Sequence, residues 1–198
     1  MVQYVRALRV AKPRLRLATG NDHPAIRELL RVTYQPYAAH IDPELFGRYV
    51  ADLLDLDRHA RDGQLLIAEL DGELAGYAAY YPDASTQGLG WPVGWAGGRG
   101  LAVRPTARGR GVAGALITEV TRRARQSGAP VFAFHTSAFM TTAVALYERM
   151  GYQRAPQFDV DLNAHYGIQA TTRWMALSYL RRLSTPGSTG NGIRPSAA

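Results

Sequence analysis

The chain has 198 residues, of which 46% are hydrophobic and 20% charged, as in one ordinary globular domain. It contains no cysteine, which excludes a disulfide framework, a thiol nucleophile and a cysteine-ligated metal centre. No segment reaches the ~18 apolar residues of a membrane-spanning helix. Residues 1–13 also lack an apolar core of signal-peptide length, so we expect a cytoplasmic protein without membrane contacts.

The net charge of +7 is unevenly distributed along the chain. Residues 17–98 contain twelve acidic residues against five arginines, whereas residues 99–125 contain seven arginines against Glu119. Such a basic block predicts an anionic partner such as a phosphate, a nucleotide or a nucleic acid. The excess of arginine over the one lysine, Lys12, indicates a GC-rich bacterial genome.

The composition predicts one domain with an extension at each end. The domain spans residues 14–182, and a basic arm, residues 1–13, precedes it. Residues 183–198 are mostly Gly, Ser, Thr and Pro, which bury too little apolar surface to offset their ordering entropy. We therefore expect this C-terminal tail to be disordered.

The first half of the domain predicts a strand, two helices and a hairpin. Residues 14–18 alternate weakly, and Asp22 and the Asp42-Pro43 pair are start signals for helices. The apolar faces of these helices hold Ile26, Leu29 and Leu30 in the first, and Phe46, Tyr49, Val50, Leu53 and Leu54 in the second. Strand-like runs at 64–70 and 73–81 flank Asp71-Gly72, a two-residue hairpin signal.

The second half alternates strands and helices. The predicted elements are, in order, a glycine-rich loop at 82–98, a strand at 99–104, a helix with an apolar face from Val112 to Ala124, a strand at 131–136, a helix capped by Thr141 or Thr142 and closed by Gly151, and strands at 157–162 and 171–179. This order predicts an α/β fold in which a mixed sheet has helices on both faces.

The most informative segment joins the strand at 99–104 to the next helix. Its glycine-rich turn leads into a helix whose first amides have no partner, which is a typical anion site. Residues 109–114 also match G-x-G-x-x-G, but the following strand, 131–136, lacks the acidic residue that a dinucleotide fold needs. A Gly-Lys-Ser/Thr sequence is absent, which excludes a Walker-type loop.

Two motifs resemble those of the GNAT superfamily of N-acetyltransferases. Residues 108–113, Arg-Gly-Arg-Gly-Val-Ala, resemble its acyl-CoA motif, Arg/Gln-x-x-Gly-x-Gly/Ala. Residues 145–152, Ala-Leu-Tyr-Glu-Arg-Met-Gly-Tyr, resemble its later helix, which ends Leu-Tyr-x-x-x-Gly-Phe/Tyr. The resemblance covers residues 14–180. It implies a central twisted sheet of about six to seven strands with a splayed central strand pair.

The resemblance implies acetyl-coenzyme A as the cofactor, and no metal. The pantetheine arm would lie in the splay against Leu101, Ala102 and Val103, which are otherwise plain core residues. The pyrophosphate would lie against Arg108, Gly109, Arg110, Gly111, Val112, Ala113 and Gly114.

Tyr147 resembles the general acid of the family and also a cofactor contact. A phenol can protonate the thiolate that leaves when an amine attacks the thioester. From its pattern alone, Tyr147 is also typical of a core tyrosine on an amphipathic helix.

The sequence departs from the family at two positions. Met140 stands where many members have a cofactor-binding asparagine, so Thr141 or Thr142 are candidates to replace that contact. The usual glutamate base has no counterpart either, because no acidic residue lies between Asp83 and Glu119. The base remains unassigned; the candidates are His135, His40, Asp42, Glu44 and a chain of water molecules.

In this family the acceptor usually docks between the first two helices and the last hairpin. An acidic rim there would attract a cationic amine, although Asp52, Asp55, Asp57 and Asp62 are also typical of a solvated helix end. Six aromatic residues are candidates to line an acceptor cleft and equally candidates for core and loop anchors: Tyr34, Tyr37, Tyr80, Tyr81, Trp91 and Trp95.

We therefore predict an acetyl-CoA-dependent N-acetyltransferase. It would acetylate the primary amine of a small molecule or peptide by direct attack in a ternary complex. A non-catalytic acyl-CoA sensor on the same fold is the alternative. We expect no nucleic-acid partner, because residues 99–125 contain no aromatic residue. The sequence is compatible with either a monomer or a homodimer.

Overall fold

The computed structural model describes residues 12–184, which form eight strands and six α-helices. The predicted arm and tail therefore lie outside the described residues, apart from their inner ends. The strands are β1 Arg14–Leu17, β2 Gln64–Leu70, β3 Glu73–Tyr81, β4 Ala96–Val103, β5 Val131–Thr136, β6 Gln153–Arg154, β7 Val160–Asp161 and β8 Met175–Arg182. The helices are α1 His23–Tyr34, α2 Pro43–Leu54, α3 Leu56–Asp62, α4 Val112–Gln126, α5 Thr141–Arg149 and α6 Leu162–Tyr166.

The strands form one mixed sheet in the order β1-β2-β3-β4-β5-β8-β6, with β7 also paired to β8. The contact between β4 and β5 is parallel, and the remaining pairings are antiparallel. Asp71 and Gly72 both adopt positive φ in the turn between β2 and β3, as a tight hairpin requires. The predicted α/β class and mixed sheet are confirmed.

The two faces of the sheet hold separate cores, because side chains alternate along each strand. On one face, Leu66 and Phe132 pack with Leu116 and other apolar residues of α4. On the other face, Ile67 packs among residues of α1 and α2, including Ile26. The predicted helical faces thus lie on opposite sides of the sheet. No helix among residues 12–184 is long and apolar enough to cross a membrane.

Local predictions in the first half hold with two changes. Asp42 accepts hydrogen bonds from the Glu44 and Leu45 amides and so caps α2. Asp22 stands at the cap position of α1, but its carboxylate binds Arg16 and the Thr19 amide rather than the helix. The short helix α3 was not predicted, because a seven-residue helix has too few turns to show a period.

The second half needs more correction. β4 begins at Ala96, inside the predicted loop 82–98. Neither Thr141 nor Thr142 caps α5, because Met140 occupies the cap position. Of the strand predicted at 157–162, only Val160–Asp161 is a strand, β7; a 3-10 turn precedes it, and α6 begins at Leu162. The last strand starts at Met175 rather than at 171, and runs to Arg182.

Candidate functional site

The central feature of the site is a gap between β4 and β5. These strands pair only at Ala96–Phe132 and Gly97–Ala133, and then diverge. On the other edge of β4, Gly100 and Leu101 stand together opposite Ala78, which is a β-bulge. Gly100 has φ +67°, and a Cβ there would lie 3.2 Å from the Tyr77 ring. The predicted splay is therefore present, and it leaves the edge of β4 that faces β5 unpaired beyond Gly97.

A cavity occupies this gap and is lined by residues from both faces of the sheet. Ile117 of α4 and Phe134 of β5 line it on one side, and Tyr49 of α2 and Trp174 line it on the other. Leu101, predicted to contact the cofactor, also lines it, whereas Ala102 is buried between α1 and the sheet. One chamber therefore connects the predicted cofactor strand with the helices where the acceptor was expected.

Tyr147 lies in this cavity. Its ring is 7% exposed and packs on Phe134, with 4.1 Å between ring centroids. Its hydroxyl makes no hydrogen bond with any residue of 12–184. Burial raises the pKa of the Tyr147 phenol, with smaller effects from Tyr49 and Tyr152. The phenol is therefore protonated at neutral pH, and the same burial makes it a weaker acid than a tyrosine in water.

The turn before α4 has the geometry of an anion site. Gly109 and Gly111 have φ +75° and +79°, which side-chain-bearing residues rarely adopt. The first bond into the helix runs from the Ala115 amide to the Gly111 carbonyl, so the Val112, Ala113 and Gly114 amides precede it. No atom outside the immediate chain lies within 4 Å of a Cβ built at Gly109, Gly111 or Gly114. The turn is therefore open for a phosphate to reach the backbone.

Most arginines of the basic segment are already paired within the structure. Arg110 binds Asp71 at 2.9 Å, and Arg104 approaches Glu73 at 3.5 Å. Arg122 and Arg123 share Glu119, and Arg99 is paired with Asp52. Among the described residues, Arg108 and Arg125 form no ion pair. The pairing singles out Arg108, which belongs to the turn before α4 (residues 108–114, the phosphate turn).

The two threonines considered as replacements for the family asparagine do not line the cavity. Thr141 and Thr142 are exposed at the start of α5. Met140 is buried there, and its sulfur lies 3.8 Å from the Thr136 hydroxyl. An apolar side chain thus occupies the position where the family often has a polar contact.

Of the base candidates, only His135 lines the cavity. Its Nε2 lies 3.0 Å from the Phe158 carbonyl, and burial lowers its pKa to about 4. Asp42 is used as a helix cap, Glu44 is exposed, and His40 is exposed and stacked on Phe139. The ring of His135 is therefore neutral and a weak base at neutral pH.

The alternative that placed Asp52 on a solvated helix end is wrong. Its carboxylate is paired with both Arg58 and Arg99, and the Tyr166 hydroxyl donates to it at 3.0 Å. Arg99 lines the cavity beside Asp52 of α2, on the side where the acceptor was expected. Sequence reasoning missed this pair because 47 residues separate its partners.

The predicted aromatic cleft is only partly present. Tyr34 and Tyr37 line the cavity, and Tyr34 donates to the Leu101 carbonyl at 3.3 Å. Tyr80, Tyr81, Trp91 and Trp95 do not line it. Tyr81 instead donates to His59 at 2.5 Å in the core. Tyr49 and Trp174, which pack edge to face, complete the cleft.

The fold and the site together define a transferase of the acyl-CoA-dependent kind. A family model described as the acetyltransferase (GNAT) family matches residues 23–152, so the chain belongs to this family. Acetyl-CoA is the acyl donor of the family, which confirms the predicted cofactor.

Individual relatives are distant. Over 146 residues the chain is 27% identical to the uncharacterized N-acetyltransferase YjgM of Escherichia coli (strain K12), covering 71% of this chain and 82% of that protein. It is 30% identical over 118 residues to an IAA acetyltransferase of Azospirillum brasilense, covering 55% and 72%. A GNAT acetyltransferase of Elizabethkingia anophelis, solved with acetyl-CoA bound, superposes with a TM-score of 0.61 at 17% identity, covering 87% and 99%.

Proposed function

We propose that residues 14–182 form an N-acetyltransferase domain that transfers the acetyl group of acetyl-CoA to a primary amine in a ternary complex. The observation that supports this most strongly is the cavity in the splay, which Leu101 of the cofactor strand and Tyr147 both line. An amine entering from the α1–α2 side can therefore reach the same chamber as the cofactor strand.

The backbone around the splay fits the two polar parts of coenzyme A. The edge of β4 that faces the gap, in the stretch Leu101, Ala102 and Val103, offers backbone groups to the pantetheine arm, apart from the Leu101 carbonyl, which accepts from Tyr34. The turn from Arg108 to Gly114 offers the pyrophosphate the free amides of a helix start, with the positive end of the α4 dipole behind them. Arg108 and Arg110 add charge, once Arg110 leaves Asp71.

Tyr147 would act as the general acid. Bound acetyl-CoA supplies an activated acetyl thioester. The nitrogen of the amine forms a bond to the acetyl carbon, the carbon–sulfur bond breaks, and the sulfur leaves as a thiolate. Tyr147 then gives its hydroxyl proton to that sulfur, and the proton released from the amine, passed through water, restores the phenol.

Water is the base that we propose for the amine. Among the described residues that line the cavity there is no Asp or Glu. His135, with a pKa of about 4, is far too weak to deprotonate an ammonium group of pKa about 10. The acceptor would therefore react from its small neutral fraction, and kcat/KM should rise with pH toward the pKa of the amine.

An amine panel tests this function directly. CoA release is followed with a thiol reagent, and the absence of cysteine in this chain removes the protein's own background. The enzyme proposal predicts amine-dependent release for at least one class of amine. The missing carboxylate favours one second candidate, a non-catalytic acyl-CoA sensor, and that candidate predicts saturable acetyl-CoA binding with no thiol release for any amine.

A further inference from the structure

The acceptor side of the cavity contains an arginine that is not fully satisfied. The Arg99 side chain is 10% exposed, and its Nη2 is used by Asp52 and, at 3.5 Å, by the Tyr166 hydroxyl. Its Nε is buried and has no hydrogen-bond partner. An unpaired donor on a buried charged group is costly, so it points to an acceptor atom that a ligand brings.

Two further polar groups in the same cavity lack partners. Gln87 is 8% exposed, and its Nε2 has no acceptor. The buried Thr33 hydroxyl is also without a partner. Gln87 and Arg99 lie on the same face of β4, because the Gln87 amide nitrogen would lie 2.7 Å from a Cβ at Gly97, two residues before Arg99. The residues that carry these two N–H donors and this hydroxyl line the same cavity.

The charges around this space favour an anion. Arg99 is the one permanently charged residue that lines the cavity within the described part of the chain. Asp52 neutralises it only in part, because the same carboxylate is also paired with Arg58. A carboxylate oxygen is the ligand atom that satisfies buried guanidinium and amide N–H donors best.

We infer that the acceptor amine also carries a carboxylate, which Arg99 and Gln87 bind, so that the substrate class is amino-acid-like. This inference rests on the proposed transferase function. Tyr37, Tyr49 and Trp174 line the same side of the cavity and give the acceptor an apolar, aromatic contact surface. A carboxylate-binding arginine is the opposite of the acidic rim that the sequence led us to expect, which would select a simple cationic amine.

Matched acceptors test the inference through activity. Phenylalanine is compared with phenethylamine, and leucine with isoamylamine, each pair differing by the carboxylate alone. We expect kcat/KM for the amino acid to exceed that for its partner by at least tenfold after correction for the neutral amine fraction. Arg99→Gln should abolish this preference through KM for the amino acid. Arg123→Gln, on the far part of α4, should preserve it.

A binding measurement keeps the test independent of turnover. Titration of CoA-loaded protein with phenylacetate and with phenylacetamide should show at least tenfold tighter binding of the acid, lost in Arg99→Gln. If that variant fails to fold, Gln87→Leu, which leaves the ion pair intact, should weaken phenylacetate binding at least threefold. Equal binding of acid and amide by the wild type, or no effect of these variants, overturns the inference.

Thiol release with equal use of the amino acid and its matched amine would overturn the inference while supporting the transferase. Selective acid binding without any thiol release would support the carboxylate site and count against the transferase.

Discussion

The site proposed for coenzyme A and the acceptor side of the cavity are built in different ways. The proposed cofactor site consists mainly of backbone: the edge of β4 that lacks a strand partner and the free amides at the start of α4. The acceptor side consists of side chains from separate elements, such as Thr33 of α1, Tyr49 of α2 and Arg99 of β4. Side chains on the acceptor side can therefore change without altering the backbone that is proposed to bind coenzyme A, which allows one fold to serve many acceptors.

The largest change is expected in acetyl-CoA affinity, after a substitution in the proposed phosphate turn. Gly111→Glu forces a side chain into φ +79° and places a carboxylate beside the phosphate turn, so acetyl-CoA affinity should fall by about a thousandfold. Calorimetric titration measures it. The matched control is Gly128→Glu, a substitution at φ +76° with equal open space at the other end of α4, which should bind like the wild type. Equal losses in both variants would rule out a phosphate site at this turn.

The second prediction concerns the junction of the two sides. Tyr147→Phe removes the proposed acid but keeps the ring that packs on Phe134, so kcat should fall about a hundredfold while the Kd for acetyl-CoA stays unchanged. Steady-state kinetics and calorimetry measure the two. Tyr179→Phe is the control, because its hydroxyl binds Glu148 and not the cavity. An unchanged kcat in Tyr147→Phe would remove this residue from the mechanism.

The third prediction concerns the support of the acceptor side. Buried His59 accepts from Tyr81 and donates to the Asp52 carbonyl at 2.8 Å, and burial lowers its pKa to about 4. The unfolded chain, with a pKa near ~6.5, binds the proton more readily, so stability is lost as pH falls from about 6.5 toward 4. At pH 5 this loss is about 2 kcal/mol.

Urea unfolding at pH 7 and pH 5 checks this prediction. His59→Gln keeps groups that can accept from Tyr81 and donate to Asp52 but does not titrate, so its stability should change less between the two pH values. His40→Gln, at an exposed position, should keep the wild-type pH dependence. If His59→Gln shows the full wild-type loss, His59 does not cause it.

The smallest change is expected in acetyl-CoA affinity when Arg110, in the proposed phosphate turn, loses its ion-pair partner. Asp71→Asn releases Arg110 from an exposed ion pair, and asparagine tolerates the positive φ of 55° at this position. Acetyl-CoA affinity should rise about twofold at low salt and converge with the wild type at high salt. Glu73→Gln, beside Arg104, is the matched control and should change affinity less. A weaker affinity in Asp71→Asn would show that the hairpin tip supports the turn.

The parts that could be predicted from sequence are those encoded by consecutive residues. The bounds of β2, β3 and β5 follow from mainly apolar runs and the Asp71-Gly72 turn. The phosphate turn and the helix of Tyr147 follow from short motifs. Such signals need no knowledge of tertiary contacts.

The features that the sequence did not predict depend on residues far apart in the chain. Arg99 looked like part of a basic block because its nearest charges in sequence are arginines, whereas its partner Asp52 is on α2. The segment from Gln153 to Arg173 folds against β8 in short pieces, too short for a helical or strand period to appear. Trp174, which lines the acceptor side, was assigned to a strand and not to the site.

Backbone groups of β4 and of the α4 start are proposed to bind the cofactor, next to a cavity for the amine. Amide chemical shifts during titration with CoA locate this contact, because each amide reports on its own surroundings. We predict the largest changes at Leu101–Val103 and from Gly109 to Gly114, with smaller changes at Thr33 and Gln87 on the acceptor side. Changes confined to Arg122, Arg123 and Arg125 of α4, or spread evenly over the protein, would contradict this proposal.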